Sequence, residues 1–132
     1  MKRILLIEDN AVAANVYAAT LRRAGYRVDV ASDGEAGLAA LAAEPPDLVL
    51  LDLMLPKIAG LDVLRQIRAR PELAHIPVLV TSNAYTPPRL DELRKAGATQ
   101  ILTKASVSPK DIERVVREAF DARAGDAKPP DA

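Results

Sequence analysis

The sequence has no cysteine and no tryptophan, a single phenylalanine, three tyrosines and one histidine. Without cysteine, disulfides and thiol chemistry are excluded, and the redox compartment is left open. With aromatics at 3%, a core must be built from Leu, Val, Ile and Ala. Soft metals want imidazole or thiolate ligands, and the one histidine, His75, sits in a loop before Ile76-Pro77, where it reads as an ordinary loop residue. Charge of one sign is also missing. Eighteen basic residues balance eighteen acidic ones, so no electrostatic argument points to nucleic acid or to an anionic membrane. No apolar run approaches membrane-spanning length. The start, Met1-Lys2-Arg3 followed by Ile4 to Ile7, imitates a signal peptide, but its apolar run stops at Glu8-Asp9. A soluble, cytoplasmic protein is expected.

What is present is a pattern. The 132 residues suit one domain, and 49% apolar residues suffice for a core. Short apolar runs at Arg3–Ile7, Arg27–Val30, Asp47–Leu51, Val78–Thr81 and Thr99–Leu102 read as strands. Several are apolar throughout, as strands covered on both faces must be. Residues 26–30 alternate instead, which predicts an edge strand. Helices are predicted from Asn10 to Ala24, Gly34 to Ala43, Leu61 to Ala69, from beyond Thr86 to Gly97, and from Pro109 to near Arg123. Gly25, the Asp33 N-cap, Pro45-Pro46, Pro87-Pro88, Gly97 and the Ser108 cap punctuate them. Five β-then-α units in series predict a three-layer α/β sandwich on a parallel sheet. The domain is expected to cover 1–123, with 124–132 as a flexible tail.

The chemistry gathers where strands end. Glu8-Asp9 follows the first strand, Asp52 ends the third, Ser82 follows the fourth and Lys104 the fifth. Open α/β sheets bind ligands at that carboxyl rim. Each residue has a plain reading as well: Glu8-Asp9 as helix-capping acids, Asp52 and Ser82 as turn formers, Lys104 as a solvated surface lysine. Taken together, three carboxylates form a hard, oxygen-rich cluster that suits Mg²⁺, and an ammonium beside them would pair with phosphoryl oxygens.

This ordered set resembles the response-regulator receiver domain of two-component signalling, of the chemotaxis-type single-receiver kind, over about Lys2 to Ala122. The matching pieces are Glu8-Asp9, Asp52-x-x-x-Pro56-x-x-x-Gly60, Ser82, Ala96-Gly97-Ala98 and Lys104. The resemblance implies a flavodoxin-like (βα)5 doubly wound sandwich with five parallel strands in the order 2-1-3-4-5. It implies Asp52 as phosphoacceptor, Mg²⁺ held by Glu8, Asp9, Asp52 and the backbone carbonyl of Met54, Lys104 on the transferred phosphoryl group, and Ser82 as the switch hydroxyl. It also implies a sensor histidine kinase or phosphotransfer protein as donor and a downstream protein partner, with no direct binding of nucleic acid or membrane. The protein is then a monomer or a phosphorylation-dependent dimer, and it is no enzyme beyond its own phosphorylation and dephosphorylation. The family's output face is the fourth helix, fifth strand and fifth helix. Here it carries Arg89, Asp91, Arg94, Lys95, Arg114 and Arg117, which read equally as solvated helix surface.

Three positions depart from the family's pattern. Lys104 is followed by Ala105 in place of proline, and a cis bond there costs roughly 2.5–4 kcal/mol, so a trans Lys104-Ala105 peptide is expected. Ile101 stands where the switch aromatic usually lies. That leaves Tyr85 as a stand-in, beside the plainer reading that it packs on the fourth helix. Asn83 replaces a small residue and narrows the approach to Asp52. With Met54 and Ala84 apolar near the hydrolytic water, slow autodephosphorylation is expected. Other readings are a pseudo-receiver that has lost phosphorylation, a small phosphohydrolase with an aspartyl nucleophile, and a flavin module. Met54 disfavours the phosphohydrolase, because that class carries an Asp two residues after its nucleophile. Glu8-Asp9-Asn10 disfavours the flavin module, because it would repel the phosphate.

Overall fold

The computed structural model describes residues 1–83 and 86–126, with side chains to 122. Five strands, β1 (Arg3–Ile7), β2 (Arg27–Ala31), β3 (Leu48–Asp52), β4 (Val78–Ser82) and β5 (Gln100–Thr103), alternate with α1 (Ala11–Arg23), α2 (Gly34–Ala43), α3 (Gly60–Ala69), α4 (Pro87–Ala96) and α5 (Pro109–Asp126). The strands form one sheet in the order β2-β1-β3-β4-β5, and every pairing is parallel. This is the flavodoxin-like arrangement expected from the sequence.

A two-residue pleat sends alternate side chains to opposite faces. Leu5, Ile7, Val49, Leu51, Val78 and Val80 pack with Leu41, Leu64, Ile67 and Leu93 of α2, α3 and α4. Ile4, Leu6, Leu48, Leu50, Leu79 and Leu102 pack with Tyr17, Ala18 and Leu21 of α1 and with Ile112, Val115 and Val116 of α5. Because β3 and β4 are buried along their whole length, both of their faces must be apolar, and this is why they read as unbroken apolar runs. β2 lies at the edge with Val30 exposed, as its alternating sequence predicts.

The helix signals hold. Asn10 and Asp33 accept hydrogen bonds from the amides of Ala13 and Ala36 at 2.9 and 2.7 Å. Thr86 caps α4 ahead of Pro87-Pro88. Ser108 and Asp111 bond reciprocally across the first turn of α5. Two differences stand out. The residues from Lys104 to Ser106 form a 3-10 turn. In addition α5 runs three residues past Arg123, because no proline interrupts the sequence between Pro109 and Pro129. The expected tail is therefore helical through 126, and its remainder lies outside the described residues. No described helix is long and apolar enough to cross a membrane.

Candidate phosphoryl and metal site

The register assembles the site. β1 pairs with β3 through Ile7 opposite Leu51, so one step further brings Glu8 beside Asp52. Glu8 continues the Ile4–Leu6 parity, Asp52 that of Leu48 and Leu50, and Lys104 that of Leu102. The pleat thus leads all three toward the α1/α5 face at the carboxyl rim. Glu8 and Asp52 are 2% and 3% exposed, whereas Asp9 lies open to solvent. One carboxylate oxygen from each of Glu8, Asp9 and Asp52 lies within 4.8 Å of the others.

Lys104 closes the group. Its Nζ stands 2.6 Å from Glu8 Oε1 and 3.3 Å from Asp52 Oδ2. The Met54 amide donates to Asp52 Oδ1 at 3.1 Å, and the Asn10 amide donates to Glu8 Oε2 at 3.1 Å. Each buried carboxylate is thus held by one backbone N–H and by the shared ammonium. Burial pushes the Asp52 carboxyl up from 3.8 to about 7, and the facing Glu8 adds to the effect, against the Met54 amide and Lys104. For Lys104, burial acts to lower the pKa, but Glu8 and Asp52 outweigh it and hold the ammonium above its ordinary value. Three carboxylates facing one lysine leave an excess of negative charge among hard oxygen donors, and one member opens to solvent. That donor set fits a small divalent cation.

The remaining expected residues are also accounted for. Ser82 is buried at the end of β4, in register with Thr103. Its parity is that of Val78 and Val80, toward the α2–α4 side. Thr81, which the sequence reading passed over, is 2% exposed, lies in register with Asp52 and shares its face. The signal for Thr81 was available: a hydroxyl one residue short of a strand end, at the parity of Leu79. Tyr17 was likewise unmarked. It is buried, which raises its pKa, and it feels the charges of Lys104, Glu8 and Asp52. No described peptide is cis, so the Lys104-Ala105 bond is trans as expected. Ile101 is half-buried against the core, and His75 and Asn83 are exposed. Tyr85 and Ala84 lie outside the described residues. On the expected output face, Arg89 pairs with Glu92, Lys95 with Asp91 and Arg114 with Asp111, each along its own helix.

Comparison with known proteins agrees with this geometry. The model of the response regulator receiver domain matches residues 4–117. The two-component response regulator ORR7 of rice (Oryza sativa subsp. japonica) is 34% identical over 113 residues, 85% of this chain and 53% of that protein. The transcriptional regulatory protein QseB of Haemophilus influenzae is 43% identical over 105 residues, 77% of this chain and 45% of that protein. The chain thus spans about half the length of these relatives. Among solved structures, the CheY-like receiver domain protein of Methanospirillum hungatei superposes with a TM-score of 0.87 at 25% identity, covering 96% of this chain and 99% of that one. The Mn²⁺-bound form of response regulator Rcp1 superposes with a TM-score of 0.77 at 30% identity, covering 89% and 91%. With the acids, the lysine and the strand order all in place, the chain belongs to the response regulator receiver domain family, a signalling module of two-component systems.

Proposed function

We propose that this receiver is a phosphorylation-dependent switch in which Asp52 accepts a phosphoryl group from a phosphohistidine on a sensor kinase or phosphotransfer protein. The observation that carries the reading is the buried pair Glu8 and Asp52 beneath Lys104, with Asp9 at the opening. Glu8, Asp9, Asp52 and the Met54 backbone carbonyl would hold Mg²⁺; that the structurally similar response regulator Rcp1 has a Mn²⁺-bound form supports a divalent ion in this fold. Mg²⁺ bound there supplies positive charge to the transferring phosphoryl oxygens.

The chain's own groups do the rest. The Met54 amide fixes one Asp52 oxygen and leaves the other toward Lys104. An Asp52 oxygen bonds to phosphorus as the donor's P–N bond breaks, and the imidazole nitrogen keeps the electron pair. Lys104 then turns from its carboxylate partners to the phosphoryl oxygens. Ser82 turns its hydroxyl toward them, and the new charge and acceptors bias a two-state equilibrium. The switched state would reach a downstream protein partner through α4, β5 and α5.

Two features support slow autodephosphorylation. Met54 is 69% exposed two residues after Asp52, where an apolar side chain would order no attacking water, and Asn83, exposed directly after β4, would narrow the approach more than a small residue. An aspartyl phosphate that decays within seconds would count against this part.

The test of the reading is incubation with acetyl phosphate and Mg²⁺, followed by intact-mass analysis. One hydroxylamine-sensitive phosphoryl adduct is expected on the native chain and none on Asp52→Asn. An adduct that persists in the variant refutes the assignment.

A further inference from the structure

α3 and α4 are each ten residues long, yet they are held very differently. α3 buries Gly60, Leu61, Val63, Leu64 and Ile67, whereas α4 buries Leu93 alone. The start of α4, Pro87, Pro88 and Arg89, is exposed. Its pairing with α3 through Glu92 and Arg65 is a half-exposed contact at 3.6 Å, and such pairs hold little.

Its carboxyl end differs. Arg68, near the end of α3, donates from Nε to the Gly97 carbonyl at 3.0 Å. The same guanidinium donates from one terminal nitrogen to the carbonyls of Ile76 at 2.7 Å and Ala74 at 3.1 Å, just ahead of β4, and reaches the Thr99 hydroxyl at 3.4 Å. Thr99 in turn accepts from the Val78 amide at 2.9 Å. Gly97 takes φ +105°, and a Cβ there would meet Arg68 Cγ at 2.8 Å, so the glycine is what allows the guanidinium stem to lie against the chain. One planar fork thus binds the last turn of α3, the chain entering β4 and the chain leaving α4.

We propose that Arg68 is a positioning residue for the switch: it pins the carboxyl end of α4, so that phosphorylation moves the helix about that end and displaces its amino end, next to β4 and Ser82. The inference rests on Asp52 being the phosphoacceptor. It adds where on the output surface a partner meets the change, namely the first turns of α4 around Arg89 and Leu90. Lys95 and its neighbours form the stationary part.

The experiment is amide NMR of the full chain with Mg²⁺, before and after saturation with beryllofluoride, for the native protein, Arg68→Met and Arg68→Lys. In the native protein, shift changes at Arg89 and Leu90 should exceed those at Lys95 to Ala98 by about threefold or more. In both variants the gradient should flatten, because neither side chain spans Gly97 and Ile76 together. If Arg68→Met does not fold, the native protein and Arg68→Lys decide. A native profile that is uniform or reversed overturns the pin, and so does a gradient that survives in the folded variants. Absence of any change around Asp52 in the native protein refutes the phosphoacceptor reading instead, so the two failures are distinguishable.

Discussion

At the scale of the residue, the site is a conflict held in place by its neighbours. Asp52 is raised from 3.8 to about 7, chiefly by burial and by Glu8. Its folded-state pKa exceeds its unfolded one, so its contribution to stability is fully present below about pH 4 and is lost as pH rises toward 7. In EDTA, Asp52→Asn should therefore change stability little near pH 4 and raise it by about 1–3 kcal/mol at pH 8. Urea denaturation at both pH values reads this directly, and a variant less stable than the native chain at pH 8 would contradict it. A second residue under strain is Lys57, with φ 67° in the loop between β3 and α3. Its Nζ pairs with Asp33 Oδ2 at 3.5 Å, but the side chain is largely exposed. Relief of the left-handed conformation should outweigh that pair, so Lys57→Gly is expected to stabilise by about 0.5–1 kcal/mol. A fall in the urea midpoint would show that the ion pair matters more. The gathering of Glu8, Asp9, Asp52 and Lys104 at one rim was legible, because acids and an amine directly after apolar runs are unusual, as was the place of Ser82 at the end of its strand. The Met54 and Asn10 amides were not, since backbone donors leave no trace in residue identity. Thr81 carried a signal in its alternation with Leu79, but the register that sets it opposite Asp52 comes from strand pairing, which residue identity does not show.

At the scale of the element, the sequence was readable where capping and glycine chemistry speak, and weaker where packing decides. Asp33, Thr86, Ser108 and Gly97 marked their helix ends correctly, because each satisfies orphan backbone groups or adopts a left-handed φ. The end of α5 did not announce itself, since Arg123 is followed by residues that a helix tolerates. Gly60 shows how tightly an element start can be bound to the site. Its amide donates to the Leu53 carbonyl at 3.0 Å, and a Cβ would lie 2.5 Å from the Asp52 carbonyl oxygen and 2.6 Å from Leu53 Cα. These are backbone atoms at the end of a buried strand and cannot step aside. Gly60→Ala should therefore cost about 2 kcal/mol or more, despite alanine's better helix propensity. Thermal or urea unfolding checks the magnitude, and a neutral result would mean that the loop yields.

At the scale of the whole molecule, five βα units and strands covered on both faces dictated a parallel three-layer sheet, but composition and spacing alone leave the strand order open. The order came from the family resemblance, and the registers then explain why it matters. With β1 and β3 adjacent at the centre, Glu8 and Asp52 meet; β4 sets Thr81 in register with Asp52, and Lys104, directly after β5, closes on both carboxylates. Two apolar layers pack on the sheet from either side, so under the proposed reading a change of charge at Asp52 would be passed to packed helices and not absorbed locally. The central claim is that this one carboxylate takes the phosphoryl group. Its most direct test is borohydride reduction of the acetyl phosphate-treated protein followed by peptide sequencing in a mass spectrometer. A homoserine at position 52, formed with Mg²⁺ and absent with EDTA, is the predicted result. Reduction product at Glu8 or Asp9, or none at any position, would contradict it.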